Sequence, residues 1–491
     1  MKNILGLLIF CSIALFSSCH KDPIIKSSGV NLTFSSDTIY LDTVFTTVGS
    51  STYTLKVFNP ADEIVELDNV RLEKNTGYYR ININGIAANS LNDVQILPKD
   101  SIYIFIEIST TAAIPNEMVF EDKILFTNKG TDQSVQLVTL VWDAEFHYPT
   151  DYIVLGTSPN TVTIPYSIIN CDETWTSAKR HVIYGYAIIN DGCELNIDPG
   201  TEVFFHQNSG MWVFNGGTLN IAKGFSADFP DSVIFSGDRL EPGFEEDPGQ
   251  WGGVFGGIFI DDSAKAVINK AVIKNANNAI RLDSAQLTDQ LLLTNSYILN
   301  SSRTAIYGGF GNVNAENVII ANSGLYSFYG FGGNYRFVHC TFANYWNLST
   351  RTTPSVVLSN FLDLTDNNGN GYRVLRPLQS AYFGNCIIFG NNQQELSILE
   401  DPSELISYNF NHVLFKLNSD LTERGFDVSS AEFISPLVNL DPDFKNTSTN
   451  NYGLGASSQA IDQGNFTDII TLDIYGNTRN SPDLGAIERI P

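Results

Sequence analysis

Two patterns of apolar and polar positions divide the chain. From Thr33 to Phe146 the text is short alternating stretches separated by turn-forming residues: "DTIYLDTVFTTVG", "STYTLKVFNPADE", "YYRININGI", "DVQILP", "SIYIFIEIS", "DKILFTNKG" and "SVQLVTLVWDAEF". Leu55 and Val57 alternate with Thr54, Lys56 and Phe58, the two-residue period of an antiparallel strand with one face buried. About seven such strands over about 115 residues is the size of a β-sandwich.

The second pattern is a repeat. "NSYILN" at 295–300, "NVIIAN" at 317–322 and "HCTFAN" at 339–344 each begin 22 residues after the last. Ile298, Ile320 and Phe342 fall in one column, and Asn300, Asn322 and Asn344 in another. "KAVIKN" at 270–275 fits the same template, with Ile273 and Asn275 and three extra residues before the next copy. Two glycine-rich segments, "YGGFGN" at 307–312 and "YGFGGN" at 329–334, share the register, because Ile306 and Phe328 are also 22 residues apart. A fixed period in the twenties with short strands means a solenoid, and it makes the glycine-rich pair a turn used on successive coils. Coils stacked at the strand spacing of about 4.8 Å put like residues on like. The Ile and Phe column then builds a core, and the Asn column at 275, 300, 322 and 344 builds a ladder of amide hydrogen bonds. His339 replaces the Asn that begins the neighbouring repeats and reads as structural. Between Asn347 and Ser380 the period breaks at "DLTDNNGNGYR", and "GNCIIFGNN" at 384–392 resumes it. Long excursions from a solenoid commonly lie on its functional face.

Further motifs carry a family resemblance. Pro199, Gly200, Thr201, Val203 and Phe205, then Gly217, Leu219, Ala222 and Gly224, then Trp251, Gly252 and Gly253 follow one another in a way that resembles the opening coils of right-handed parallel β-helix proteins. "LDPDF…YGLGASSQAIDQG…LDIYGNTRNSPDLGAIE" resembles the carboxy-terminal signature of the bacterial β-helix proteins grouped as choice-of-anchor Q. It is carried by Asp441, Pro442, Phe444, Ala460, Ile461, Asp462, Gly464, Asp473, Gly476, Arg479, Asp483, Gly485, Ala486 and Glu488. The amino-terminal strands resemble the immunoglobulin-like modules of bacterial surface lipoproteins. These resemblances imply an all-β chain: an immunoglobulin-like β-sandwich over 34–148, a connector and helix start over 149–182, a pectate-lyase-like right-handed parallel β-helix over 183–430, and a carboxy-terminal signature and cap over 431–491.

The first residues read as a targeting segment. Lys2 supplies a positive charge, and Ile4 to Phe16 form an apolar run too short to span a bilayer. "LFSSC" resembles a lipobox, which implies a signal peptide over 1–18 and a palmitate-type acyl chain on Cys19. Residues 19–33 then form a tether, and "HKDP" resembles that of surface lipoproteins in Bacteroidota. The expected location is the outer membrane or cell surface, held by lipid. Acidic residues outnumber basic ones by 53 to 28, for a net charge of -25. Such a surface repels nucleic acid, which is excluded as a partner. Cys171 and Cys193, 22 residues apart, could pair outside the cytoplasm. Cys340 and Cys386 sit in apolar strands and read as buried free thiols, and no Cys/His spacing suggests zinc.

Chemistry is sparse. No G-x-S-x-G, HExxH, P-loop or dinucleotide fingerprint occurs. Asp261, Asp262, Arg281 and Asp283 are the charged group a polysaccharide lyase would need, and Arg303 follows Arg281 by 22 residues across the three-residue insertion. A hydrolase needs two facing carboxylates, and the coils over 270–345 offer little beyond Asp283, Asp289 and Glu316. These charges read as a solvated face. Tyr307, Tyr329, Tyr345 and Trp346 follow the inward column or the ladder. They are either a flat strip suited to sugar rings or rings packed beneath the 347–380 insertion. No metal site is expected, although the Asp-rich "LDPD" and "LDIYGN" suit either calcium or turn capping. The sequence therefore points to a non-enzymatic binding or scaffold protein, with polysaccharide as leading ligand and another envelope protein as a possible partner. The alternative is a lyase or glycoside hydrolase acting on an acidic glycan.

Overall fold

The computed structural model describes residues 29–110, 114–157, 160–227, 230–241, 243–244, 246–284, 289–366, 369–420, 422 and 425–490. Cys19 and the whole expected signal peptide lie outside them. The fold is all-β and divides into two compact units, Met1–Asp143 and Ala144–Pro491.

The first unit is a two-sheet sandwich. One five-stranded sheet runs Thr33–Phe34, Tyr53–Phe58, Ser101–Ile108, Tyr79–Ile83, Ile86–Ala87, and the other Thr38–Phe45, Thr131–Trp142, Glu117–Asn128, Val65–Leu72, Ser90–Ile96. Alternation does what the pattern demands. Leu55 and Val57 are buried while Thr54 and Lys56 are exposed. Leu55, Ile104 and Ile106 from one sheet share a core with Leu67, Ile124 and Leu137 from the other.

In the second unit each turn of chain lays strands on the previous turn, in parallel. Three inward columns run through it. Ile197, Ile221, Ile268, Leu293, Ala315, Phe337, Phe383 and Phe410 form the first. Val203, Phe235, Ile273, Ile298, Ile320, Phe342, Ile388 and Phe415 form the second. Met211, Ile258, Ile280, Ile306, Phe328, Val356 and Leu396 form the third. All belong to one buried cluster. Trp251 of the "WGG" segment lies inside, stacked on Phe205 at 4.1 Å between ring centroids.

Gly308 of "YGGFGN" and Gly330 of "YGFGGN" lie in the strands Thr304–Gly309 and Tyr326–Phe331 rather than in a turn, and Tyr335 explains both. A Cβ on Gly308 or Gly330 would lie 2.7 Å from its ring, and the Tyr335 hydroxyl donates to the Gly308 carbonyl at 2.7 Å. The two glycines make room for one large side chain inside the coil.

Three segments take a form the sequence did not specify. Residues 149–182, expected as a connector and helix start, supply the first strands of the solenoid. An antiparallel hairpin, Asp151–Thr157 with Asn160–Ile168, joins the ten-stranded sheet that carries the third column, through Tyr166 and Tyr186, and Glu173–Trp175 stacks under the next coil. Cys171 and Cys193 are disulfide-bonded, tying these first coils together, and Cys340 and Cys386 are buried free thiols. The 347–380 insertion is two extensions around an in-register strand, Val356–Ser359, which pairs with Phe328–Phe331. The first extension is clamped by the buried Arg351–Glu395 pair at 2.6 Å, and the second is a hairpin of Phe361–Thr365 with Gly371–Leu375.

The expected carboxy-terminal cap runs back along the side of the solenoid as a strap. Tyr452, Ile474, Ala486 and Ile487 pack on outward Leu299, Ile319, Ala321 and Ala343, while Leu454, Ala460 and Leu484 pack on Ile387 and Leu414. The strands under the strap are apolar on both faces, which leaves outward surface that only a covering segment can remove from water.

Candidate functional site

The corners between strands build the site. Asn275, Asn300 and Asn322 take φ of 65°, 55° and 56°, the left-handed region that Asn enters more readily than other side chains. Their amides form a ladder: Asn300 Nδ2 donates to Asn275 Oδ1, and Asn322 Nδ2 to Asn300 Oδ1, both at 3.4 Å. Asn344 leaves it. The chain turns outward after this residue, and its Oδ1 instead accepts from the backbone N–H groups of Ser323 and Trp346, at 3.0 and 3.4 Å.

A second ladder joins Asn269, Asn295 and Asn317 at 2.9 and 3.2 Å. Its signal was the Asn that opens the repeats at 295 and 317, while Asn269 comes just before the Lys270 that opens the earlier copy. His339 occupies the next position, between the Gly485 carbonyl at 3.3 Å and the Asn385 amide at 3.0 Å. Burial pushes its imidazole well below the ordinary value, with Arg479 adding to the effect.

The first ladder lines a cavity of about 520 Å³, formed by Asn300, Asn322, Tyr345, Trp346, Asn347 and Leu348 with Glu246 and residues 447–450 of the strap. Glu246 accepts from Asn300 Nδ2 at 2.8 Å and pairs with Lys274 at 3.1 Å. On the strap side Asn450 Oδ1 accepts from Asn322 Nδ2 at 3.0 Å and from the Tyr452 hydroxyl at 3.1 Å. Trp346 is half-buried and donates through Nε1 to Ser349 Oγ at 2.9 Å. It lies against Gly324, where a Cβ would come 3.1 Å from its Cζ2. Tyr345 meets Phe444 edge-on at 6.2 Å, and burial raises its hydroxyl pKa. The cavity thus unites two predicted ladder residues with two of the four predicted aromatics. Glu246 and the strap wall were missed, because nothing in their local text links them to the repeat.

Tyr307 and Tyr329 stand elsewhere, on adjacent coils of the ten-stranded sheet. Their rings stack at 5.7 Å and 12°. The Arg281 guanidinium lies in the same column between Phe259, at 5.4 Å, and Tyr307, at 5.9 Å, and pairs with Asp283 at 3.5 Å. Ring faces in such a column are turned to their neighbours, so the surface they offer is edges and hydroxyls. Burial pushes the Tyr329 hydroxyl up to about 12. Arg281 aligns with Tyr307, so Arg281 and Arg303 do not stack.

The carboxy-terminal residues that carry the resemblance bond to one another and to the coils. Buried Arg479 donates to Glu488 at 3.1 Å, Asn317 Oδ1 at 3.2 Å and the Gly485 carbonyl at 3.1 Å. Asp473 accepts from the backbone N–H groups of Tyr475, Asn477 and Glu488, and Asp441 from that of Asp443. Gly485 takes φ of 88° with Thr341 where a Cβ would be, so only glycine lets the strap approach this closely. Among the described residues no group of three or more His, Cys, Asp or Glu is arranged to hold a metal ion, and no helix is long and apolar enough to cross a membrane.

No protein-family model matches the chain, and no curated protein matches it. Among solved structures, a complex of XylC with xylose is 9% identical over 92% of this chain and 87% of that one, at a TM-score of 0.33. The PapD-like domain 7 of human CEP192 is 10% identical over 26% of this chain and 96% of its own, at 0.18. The periplasmic chaperone SfaE is 11% identical over 28% and 83%, at 0.15. At these identities and TM-scores none of the three bears on fold or activity.

Proposed function

We propose that the protein is a lipid-anchored binding protein of the outer membrane or cell surface that holds a glycan in the Trp346 pocket without modifying it. In this reading Cys19 carries the acyl chain, an immunoglobulin-like module over the first unit lifts the rest from the membrane, and a right-handed parallel β-helix presents the pocket. One observation carries the ligand assignment. A single cavity combines half-buried Trp346 and Tyr345 with Glu246, Asn300, Asn322, Asn347 and Asn450. An indole face covers the apolar side of a sugar ring, and fixed amides and a carboxylate meet its hydroxyls. Arg281 favours this reading over a lyase, since it stands between two rings and pairs with Asp283.

The test is retention of the full chain on a glycan array beside Trp346→Ala. The variant is expected to lose at least about tenfold in affinity, equivalent to about 1.4 kcal/mol, with little change in melting temperature. Equal retention by both proteins, or retention of no glycan by the wild type, would defeat the proposal. Anchoring is tested separately: Cys19→Ala should move the protein to the soluble fraction or leave it unprocessed.

A further inference from the structure

We infer that the Trp346 pocket selects non-anionic, hydroxyl-rich saccharides and rejects uronate-bearing and sulfated ones. This rests on the glycan reading of the same pocket. Among the described residues Glu246 is the only charged one lining the cavity. Lys274 is drawn to Glu246 Oε1 and is not among the lining residues. A sugar carboxylate or sulfate entering the cavity would give up water and meet a carboxylate whose ion-pair partner, Lys274, is not on the lining, and no cation among the described lining residues replaces the lost hydration.

The neutral groups point the same way. Asn300 Nδ2 is committed to Glu246 and Asn275, and Asn322 Nδ2 to Asn300 and Asn450. Trp346 Nε1 is committed to Ser349, and Ser448 Oγ donates to Asn446 Oδ1 at 2.7 Å. The ladder and indole donors that would solvate an anion are therefore already used. Glu246 receives one bond on each carboxylate oxygen and keeps lone pairs for donors that a ligand brings. Sugar hydroxyls supply such donors and also accept, so the side-chain amides of Asn347 and Asn450 on the lining serve them as well. The chain's net charge of -25 acts in the same direction at longer range.

The experiment compares the full chain on neutral, amino-sugar, uronate and sulfated oligosaccharides of matched length, at 150 mM and 500 mM salt. Neutral or amino sugars should be retained at least tenfold more tightly than the anionic sets. The preference should shrink at high salt, because Glu246 is exposed and its charge is screened together with the overall field. Ser448→Lys, which places a cation on the exposed strap wall, should raise uronate binding while leaving the melting temperature unchanged. Glu246→Gln should narrow the preference in the same direction. Anionic glycans retained as tightly as neutral ones overturn this inference and leave the glycan reading standing. Retention of no glycan overturns both.

Discussion

Gly308 and Gly330 hold their places for the sake of one side chain. Each faces the buried Tyr335 ring at a distance no Cβ tolerates. Gly330→Ala should therefore cost about 1–3 kcal/mol through overpacking, whereas Tyr335→Phe, which loses one buried hydrogen bond, should cost about 1 kcal/mol. Denaturant midpoints of the two variants check the order. Asn322→Leu removes the donor that Asn300 and Asn450 both accept from, and about 1–3 kcal/mol of stability should go with it. His339 gives a pH signature. Its folded pKa is depressed, so as pH falls through about 6.5 the unfolded chain binds a proton that the folded chain refuses, and stability falls. His339→Asn, which restores the residue of the adjacent coils, should remove up to about 2 kcal/mol of the loss between pH 7 and pH 5. Equal pH slopes for wild type and variant would contradict a buried neutral imidazole.

Elements show why some of this was legible in the sequence and some was not. The 22-residue period between 295 and 344 was readable because those coils carry no insertion, and the inward column Ile298, Ile320 and Phe342 is in register as expected. Further toward the amino terminus, loops of unequal length separate the strands, so the columns Val203–Phe235 and Phe235–Ile273 leave no fixed spacing to detect. The strap has a signal in the sequence. "NVIIAN" is apolar at both Ile319 and Ile320, and a strand apolar on both faces must be covered twice. A chain ending at residue 440 should therefore expose Leu299, Ile319, Ile387 and Leu414, bind a hydrophobic dye and aggregate, while a soluble, dye-silent truncation would show the strap to be dispensable. The Cys171–Cys193 bond closes a loop of 22 residues, and replacing both cysteines by Ser should lower stability by about 3 kcal/mol. Hydrogen exchange should rise first around Glu173–Trp175.

At the scale of the whole molecule, the sequence indicated two kinds of β architecture, and the structure divides at Asp143 between a sandwich and a parallel solenoid. The site was half legible. Tyr345, Trp346, Asn300 and Asn322 were named from their columns, but spacing along the chain says nothing about a wall contributed from 447–450. Tyr307, Tyr329 and Trp346, which the sequence left as either one strip or rings beneath the insertion, do not share a surface, because Tyr307 and Tyr329 lie on strands of one face and Trp346 lies on a turn after another. The assignment of ligand to pocket is the central claim, and a crystal structure of the full chain soaked in the best-retained array oligosaccharide tests it most directly. The account predicts electron density for a sugar ring stacked on Trp346, with a hydroxyl within hydrogen-bonding reach of Glu246. A ring bound instead along Tyr307 and Tyr329, with nothing against Trp346, would contradict it.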